Sequence, residues 1–428
     1  MAKQKKKKTT KKVIPALTSE ATLKRNIRGH LKKLGFTKDD KGELVAPVDT
    51  KDSIRLLHAM QRHDRLTQHR DFVGAQWPLL KNHFADGADV VPAKVSPRLE
   101  LVEASTWQSD LFRLVGLSWS VPVSMGFGRR LRYLVWDDAN GKLMGIMALG
   151  DPVYNLRTRD ESVGWTLKQR SKRLVNVLDA YVVGAVPPYS FLLGGKLIAS
   201  LIRTKDIRND FREKYANTKG IISKKKKKAQ LVLVTTSSSL GRSSMYNRVA
   251  LGGVKYLKPI GYTGGWGHFH VPDDLFLKLR AYLRHHKHGY VDGHKFGDGP
   301  NWRLRTIRAA FDKLGFGADL LRHGIKREVY ACELATNTNE VLRGEKKRAY
   351  CRALKTVKEV GELARQRWLI PRAERHPDYT AWKKESFGSL LTPQVVVQHK
   401  GENLGKDLAK KSMAGGAWTG PGKSAAGK

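Results

Sequence analysis

Cysteine is nearly absent from this chain of 428 residues, which contains only Cys332 and Cys351. A single pair of thiols excludes a disulfide framework and a Cys-based zinc finger, and such sparse usage is typical of a reducing cytoplasm. Long apolar runs are missing too, because the most apolar stretch, residues 189–202, is too short to span a bilayer and contains two glycines and a lysine. The first residues show lysines where a signal peptide would have an apolar segment. We therefore expect a cytoplasmic protein without a membrane partner.

Acidic residues are also scarce. There are 39 Asp and Glu against 80 Lys and Arg, which gives a formal charge of +41 and a pI of about 10.2. Three lysine-rich segments, residues 1–12, Lys224–Lys228 and 400–428, hold +16 of this charge, so that +25 lies on the rest of the chain. This excess is larger than solubility requires and disfavours most small-metabolite enzymes. It predicts a polyanionic partner, DNA in the first place and RNA as the alternative.

Shifts in composition divide the chain into five parts. With 40% hydrophobic residues it can bury a substantial core. We predict an α+β fold in which a central mixed α/β domain is flanked by small basic helical regions. The predicted boundaries are a disordered lysine arm at 1–17, a helical basic region at 18–95, the central domain at 96–275, a basic helical region at 276–395 and a disordered tail at 396–428.

Apolar residues spaced three and four apart predict the flanking helices. One such helix contains Leu23, Ile27 and Leu31, a second follows Asp52-Ser53, and a third spans residues 304–314 with Arg303, Arg305 and Arg308 facing outward. The first and third helices are followed by Gly35-Phe36 and Gly315-Phe316, a pattern typical of a helix stop with glycine in the left-handed conformation.

The central domain is predicted to alternate strands and helices. Asn140-Gly141 indicates a hairpin. In chain order we predict strands at 132–136 and 143–149, a helix at 167–179, a strand at 180–186, a helix at 189–203, a strand at 231–234, a hydroxyl-rich connection at 235–239, a helix at 243–250 and a hairpin of 255–262 with 266–271.

Several long motifs occur in this order along the chain. They include Gly184-Ala185-Val186-Pro187-Pro188-Tyr189, Gly299-Pro300-Asn301-Trp302-Arg303 and Arg367-Trp368-Leu369-Ile370-Pro371-Arg372. Others lie at 119–124, 128–132, 150–153, 159–160, 164–165, 193–196, 241–244, 246–248 and 323–325. Together they resemble the bacterial DruA family, a family of unknown function named for the Druantia anti-phage system. The resemblance covers residues from about 20 to about 390 and implies a defence or mobile-element protein that acts on nucleic acid. We expect it in the bacterial cytoplasm; whether it is nucleoid-associated or phage-encoded stays open.

The element order of the central domain is similar to that of the GNAT acyltransferases. In that fold, backbone N–H groups of a Gly-rich turn at the start of the helix after the central strand hold the pyrophosphate of acyl-CoA. A Tyr after the next strand protonates the leaving thiolate. The resemblance implies that Gly194, Gly195 and Lys196, about one turn into the predicted helix, hold the pyrophosphate, and that Tyr246 is the general acid. The full Gly-rich spacing is missing and an additional helix intervenes, so whether the protein is an enzyme stays open.

These residues also have structural explanations. The glycines can let the helix pack closely on the sheet, and Tyr246 can be an aromatic residue at the edge of the core. Hydroxyls near residues 235–244 can simply cap the next helix. A serine hydrolase is disfavoured because the Gly-x-Ser-x-Gly motif is absent.

An acidic and histidine set is the candidate for a metal-dependent nuclease. His268 and His270 are two residues apart on a predicted strand, and Asp151 and Asp160 lie in a connection near the sheet end. The alternative is a solvated strand face with turn-forming aspartates. No metal ligand is assigned.

Basic residues next to aromatic ones predict nucleic-acid contacts, because arginine binds phosphate while tryptophan stacks on bases. The candidate contacts are Arg129, Arg130, Arg242, Arg248, Trp302, Arg303, Arg305, Arg308, Arg367 and Trp368.

Three functions remain open from the sequence. The first is a DNA-binding defence protein whose GNAT-like domain recognises or modifies DNA. The second is a non-catalytic adaptor that binds DNA and recruits a helicase or another effector subunit. The third is a metal-dependent nuclease that uses Asp151, Asp160 and His268.

Overall fold

The computed structural model describes residues 19–40, 42, 44–45, 50–123, 128–216, 228–289, 291, 300–316, 318–321 and 323–393. The predicted lysine arm and tail, and most of the Lys224–Lys228 run, lie outside the described residues. The α-helices are α1 (Ser19–Lys33), α2 (Lys51–Gln68), α3 (Arg70–Leu80), α4 (Trp107–Leu117), α5 (Arg157–Val163), α6 (Leu167–Arg173), α7 (Gly194–Leu201), α8 (Lys205–Tyr215), α9 (Asp273–His285), α10 (Pro300–Lys313), α11 (Thr338–Arg343), α12 (Val357–Ala364) and α13 (Ile370–Arg375). A π-helix at Arg365–Leu369 joins α12 to α13.

The strands lie mostly in the middle of the chain. They are β1 (Thr37–Lys38), β2 (Leu44–Val45), β3 (Pro97–Leu101), β4 (Arg130–Asp137), β5 (Lys142–Gly150), β6 (Val177–Ala185), β7 (Leu233–Ser237), β8 (Ala250–Leu251), β9 (Val254–Lys255), β10 (Lys258–Tyr262) and β11 (Glu328–Glu333). The described residues fall into two compact units. Unit 1 takes its residues from 1–47 and 270–323, and unit 2 takes its residues from 48–269 and 324–402.

Unit 1 is a small helical unit in which α1 and α10 both pack on α9. The predicted helix stops are confirmed. Gly35 has φ +81°, and the N–H of Phe36 donates to Leu31 O at 3.1 Å. Gly315 has φ +72°, and the N–H of Phe316 donates to Phe311 O at 2.9 Å. In both places the glycine ends the helix and turns the following Phe back towards it.

Unit 2 is built on a seven-stranded sheet with the order β10-β11-β7-β6-β5-β4-β3. All neighbouring strands are antiparallel except β6 and β7, which run parallel. The hairpin of β4 and β5 turns through Gly141, where φ is +68°, as its Asn-Gly pair predicts. A mixed sheet with helices around it confirms the α+β fold.

Helices cover both faces of this sheet. On one face α7, α8 and α12 bury Leu197, Phe211 and Val360. On the other, α4 buries Leu111 over the middle of the sheet, while α5, α6 and α11 cover the β7 and β11 side. The strands between them are apolar on both faces, as in β5, where eight of nine residues are buried.

Four predicted elements are wrong in detail. The hydroxyl-rich run 235–237 is part of β7, because the hydroxyls of Thr235 and Thr236 donate hydrogen bonds to residues of β6 within the sheet. The predicted helix 167–179 ends at Arg173, since buried Val177 and Leu178 begin β6. Residues 266–271 form no strand, because β10 pairs with β11, more than sixty residues further along the chain. The predicted helix 243–250 is a short 3-10 turn at Tyr246–Arg248.

The parallel strands β6 and β7 part after a short contact. They pair only from Val177–Leu233 to Asp179–Thr235. Beyond this point β6 continues beside β5, and β7 continues beside β11. The hydroxyl of Thr236 donates to Ala180 O at 2.8 Å where the backbone pairing stops. We call the gap where β6 and β7 part the strand opening. After β6 the next helix is α7, and after β7 comes the 3-10 turn at Tyr246–Arg248, which we call the Tyr246 turn.

Candidate functional site

A carboxyl group marks the last paired position of β6 and β7. Asp179 Oδ1 accepts a hydrogen bond from Thr235 Oγ1 at 2.8 Å. Burial raises the pKa of Asp179 to about 6, against the opposing effects of Thr235 and the Arg159 charge. A carboxyl with this pKa can gain or lose a proton near neutral pH. Sequence reasoning missed Asp179, although a lone acid in the apolar run of residues 177–183 was the signal.

Tyr246 lies beside the opening on the other side of the sheet from Asp179. Its ring is 9% exposed and meets Tyr330 edge-on, with 5.3 Å between the ring centroids. Burial raises the pKa of Tyr246 to about 12, although a hydrogen bond with Thr236 opposes the shift. The phenol therefore keeps its proton at neutral pH and is a potential proton donor. This arrangement fits both an acid role and a packed aromatic residue.

The sequence predicted Gly194 and Gly195 about one turn inside the helix, but in the structure they are the first two residues of α7. A Cβ on Gly194 would lie 2.6 Å from Tyr189 O, and a Cβ on Gly195 would lie 2.9 Å from Met245 Sδ. Close packing by itself therefore requires small residues here. Gly195 also brings the start of α7 against the segment that carries Tyr246.

Four basic side chains surround the start of α7, and we call them the α7 basic cluster: Lys196, Arg248, Arg367 and Arg372. The Lys196 ammonium lies 5.6 Å from the centroid of the Trp368 ring. Arg372 Nε donates to Phe191 O at 3.1 Å, close to the first residue of the helix. Burial, and then the charges of Arg248, Arg367 and Arg372, lower the pKa of Lys196. All the charges that act on Lys196 are thus positive, and an anion would relieve their repulsion.

The sequence identified part of this cluster. Arg248, Arg367 and Lys196 were candidates from separate segments, and both arginines are exposed. Arg372 was not assigned, although it ends the motif that begins at Arg367. Trp368 belongs to the core at 5% exposure, so it is not available for stacking on a base.

Arg129 is also a structural residue. Its guanidinium pairs with Asp151, with Nη2 2.7 Å from Oδ1, and Nη1 donates to Val175 O at 2.7 Å. This ion pair joins two candidates from different predicted sites, Arg129 for nucleic-acid binding and Asp151 for nuclease catalysis. Arg130 and Arg242 in unit 2 remain exposed.

In unit 1, Arg303 does not face outward as predicted. Its Nη1 lies 2.8 Å from Asp273 Oδ1, and its guanidinium covers the Phe276 ring at 4.2 Å. Trp302 meets the same ring edge-on. Arg305 and Arg308 are exposed on α10 and keep their predicted place as surface cations.

The acidic and histidine set is not brought together. Burial by itself would raise the pKa of Asp160, but hydrogen bonds from Arg159, Arg170 and Trp165 outweigh it and lower the pKa. His268 lies outside any strand in unit 2, whereas His270 is a buried residue of unit 1. Within the described ranges, no group of three His, Cys, Asp or Glu side chains could hold a metal ion.

Comparison with known proteins identifies the family of this chain. The family described as Druantia protein DruA matches residues 48–344. A Druantia protein DruA from Escherichia coli (strain UMEA 4076-1) is 55% identical over 373 residues, which is 87% of this chain and 92% of the relative. The chain belongs to the DruA family. The matched range includes the parted strands, α7 and Arg248. No solved structure matches the chain. In the part of the chain that the structure describes, no helix has the length and apolar character needed to cross a membrane.

Proposed function

We propose that this protein acts in a Druantia anti-phage system by binding nucleic acid, and that unit 2 recognises or modifies DNA. The observation that carries the proposal is the α7 basic cluster. Its four cations come from α7, the Tyr246 turn and the segment 365–375, and they meet beside the only parallel strand pair of the described sheet. The formal charge of +41 supplies a field that attracts a polyanion to this surface.

Phosphate groups are the ligands that suit such a cluster. Arg248 and Arg367 are exposed and can contact phosphate oxygens in two-pronged geometry, while Lys196 supplies a point charge. None of these contacts reads a base edge, so the cluster predicts affinity without sequence preference. Recognition of a target structure or a partner subunit would then depend on other surfaces of the molecule.

Binding of a labelled duplex and a labelled single strand across a salt series tests the proposal. For a duplex, log affinity should fall with log salt by about 0.9 per phosphate contacted. The double variant Arg248→Gln/Arg367→Gln should reduce that slope by about 2. The matched control is Arg157→Gln/Lys168→Gln, which removes two exposed cations on the opposite face of the sheet. Equal slopes for both variants would remove the α7 basic cluster from the proposal, and weak, salt-independent binding would end it.

A second candidate function is transfer of an acyl group to an amine, and the protonated Tyr246 phenol next to the α7 basic cluster favours it. The amine would attack the thioester carbonyl and lose its proton to solvent, while Tyr246 Oη would donate a proton to the leaving thiolate. The α7 basic cluster fits the pyrophosphate of acyl-CoA. The glycines are already packed against Tyr189 and Met245, so side chains rather than backbone amides would hold it. Acyl-CoA, when bound, would supply the activated acyl group.

Repeating the salt series with acyl-CoA separates the two roles. If acyl-CoA raises the unfolding temperature and Lys196→Gln abolishes that rise, unit 2 binds the cofactor. If acyl-CoA only competes with the oligonucleotide, the cluster is a phosphate site of a DNA-binding adaptor that recruits a helicase or another effector.

A further inference from the structure

Two exposed aromatic rings lie on one loop at the edge of the sheet. Tyr262 ends β10 and is 46% exposed, and Trp266, four residues later, is 56% exposed. Four residues span at most about 14 Å, so one ligand can contact both rings. Two aromatic residues that the sequence offered for stacking are instead packed, because Trp368 is in the core and Trp302 meets the Phe276 ring edge-on. Large rings left in solvent indicate an interaction surface.

The loop that carries these rings is held against the start of β11. The N–H of Thr263 donates to Arg327 O at 2.9 Å, and the N–H of Arg327 donates to Thr263 Oγ1 at 3.1 Å. Directly before Trp266, Gly265 O accepts from the N–H of Gly324 at 3.2 Å. A Cβ on Gly265 would lie 3.0 Å from Gly324 C, so the two backbones are in close contact. The rings are thus exposed on a fixed loop, which reduces the conformational entropy lost when a ligand binds.

Exposed cations lie on the segments next to this loop. Arg242 and Lys326 are exposed, and their segments are joined because the N–H of Glu328 donates to Gly241 O at 3.2 Å. We call residues 238–243, 262–266 and 324–328 the three-loop surface. Its sequence contains one acid, Glu328, which is 6% exposed and accepts from Asn247 Nδ2 at 3.0 Å. The three-loop surface therefore presents positive charge without an exposed carboxylate of its own, which suits a polyanion.

The register of the sheet places Tyr262 on the same face as α7. Tyr262 is opposite Glu328 in the antiparallel pair of β10 and β11, and opposite residues of such a pair share one face. Tyr330, two residues after Glu328, points to that face too and packs in the same core cluster as Leu197 of α7. A polynucleotide bound to the α7 basic cluster can therefore reach Tyr262 without crossing the sheet.

We infer that the three-loop surface binds single-stranded nucleic acid, with unpaired bases stacked on Trp266 and Tyr262 and phosphates held by Arg242 and Lys326. Every base has a face that stacks on an aromatic ring, whereas the bases of a duplex are already stacked on each other. Stacking therefore distinguishes a single strand from a duplex. A partner protein is the alternative occupant, but lysine is depleted from protein interfaces, and the charge of this surface favours a polyanion. The inference rests on the proposed function and adds the preferred form of the nucleic acid.

Binding of a labelled single strand and a labelled blunt duplex by the full chain tests the inference. Trp266→Ala should lower the affinity for the single strand about fivefold or more, because stacking of one base contributes at least that much. The slope of log affinity against log salt should stay the same, since a neutral ring releases no counterions. Trp266→Phe keeps an aromatic ring and should retain most of the affinity. Neither substitution should change the affinity for the duplex.

Two further variants complete the test. Trp107→Ala is the matched control, because Trp107 is 45% exposed in unit 2 but stacks on His83 and has Glu103 and Asp110 near it in the sequence. It should leave single-strand affinity unchanged. Arg242→Gln/Lys326→Gln should reduce the salt slope of single-strand binding by about 1.4, which is about 0.7 for each phosphate contact removed.

The outcomes separate this inference from the proposed function. If Trp266→Ala binds the single strand as the parent does, while the α7 basic cluster still sets the salt slope for the duplex, the three-loop surface is rejected and the proposed function stands. Equal losses for single strand and duplex in Trp266→Ala would reject base stacking as well. A parent chain that binds neither oligonucleotide would reject the proposed function itself.

Discussion

Two aspartates of unit 2 have opposite electrostatic surroundings. Asp160 is surrounded by Arg159, Arg170 and Trp165, whose hydrogen bonds outweigh burial and hold its pKa low. Asp179 has one hydroxyl donor, and burial raises its pKa to about 6. Asp160 was a sequence candidate for chemistry, yet it anchors α5 and α6. Asp179 was not a candidate, yet it can exchange a proton near neutral pH.

The raised pKa of Asp179 predicts how stability depends on pH. The folded state holds this proton up to about pH 6, while the unfolded state loses it near pH 4, so burying the carboxylate costs stability as pH rises from 4 to 6. Asp179→Asn should therefore gain about 1 to 3 kcal/mol relative to the parent between pH 4 and pH 7. Urea unfolding at intervals of one pH unit measures this difference.

Asp160→Asn should change the free energy of unfolding in the opposite direction to Asp179→Asn. The folded pKa of Asp160 is lowered, so its stabilisation is present above the unfolded pKa and disappears as pH falls through the folded one. This variant should lose stability at pH 7 and approach the parent in acid.

A constant difference between Asp179→Asn and the parent across the pH range would contradict the assigned environment of Asp179.

At the scale of elements, the start of α7 shows how packing fixes a helix boundary. The sequence places a helix from residue 189, but the chain makes turns until Leu193, which has φ +61°, and α7 begins at Gly194. Tyr189 is fully buried in the core, and its backbone carbonyl accepts from the N–H of Gly194 at 2.8 Å. The tertiary position of Tyr189 thus overrides a helical pattern that continues through it.

Alanine substitutions at the two glycines should have unequal costs. The added Cβ of Gly194→Ala meets a backbone carbonyl at 2.6 Å, which cannot move without shifting the turn. The Cβ of Gly195→Ala meets the flexible end of Met245 at 2.9 Å. We expect Gly194→Ala to cost about 1 to 3 kcal/mol and Gly195→Ala clearly less, measured by urea unfolding.

Gly74→Ala in α3 is the control for this comparison. Nothing lies within 4 Å of a Cβ there, so the substitution should stabilise the protein by about 0.5 to 1 kcal/mol through helix propensity. Equal losses at Gly194 and Gly195 would mean that their role is not the packing described.

At the scale of the whole molecule, a basic composition does not mean that every cation is available to a ligand. Arg129 and Arg303 are used in ion pairs with Asp151 and Asp273. Arg159 is fully buried and binds the carbonyls of Val153 and Tyr154. In each unit, the cations that can bind a polyanion are therefore the exposed ones that are not already used in structural ion pairs or in hydrogen bonds to buried carbonyls.

Charge reversal on α10 tests the contribution of unit 1. Arg305→Glu/Arg308→Glu should reduce the salt slope of duplex binding by about 2, if these side chains contact phosphates. Lys32→Glu/Lys278→Glu makes the same change in net charge at exposed positions of unit 1 outside α10. A similar loss in both variants would show a general effect of charge and no contact by α10.

The sequence by itself determined the features that depend on neighbouring residues. Helix stops at Gly35 and Gly315, the Asn-Gly hairpin and the α+β fold follow from local spacing and turn chemistry. Family membership also follows from the sequence, because long motifs keep their order along the chain.

Only the tertiary structure decided which residues meet. Pairing of β10 with β11 joins segments more than sixty residues apart, and no local pattern encodes such a choice. The same holds for the sites. Lys196, Arg248 and Arg372 converge because helices pack on a sheet. Composition sets how many charges a chain carries, whereas packing decides which charges are paired and which remain for a ligand.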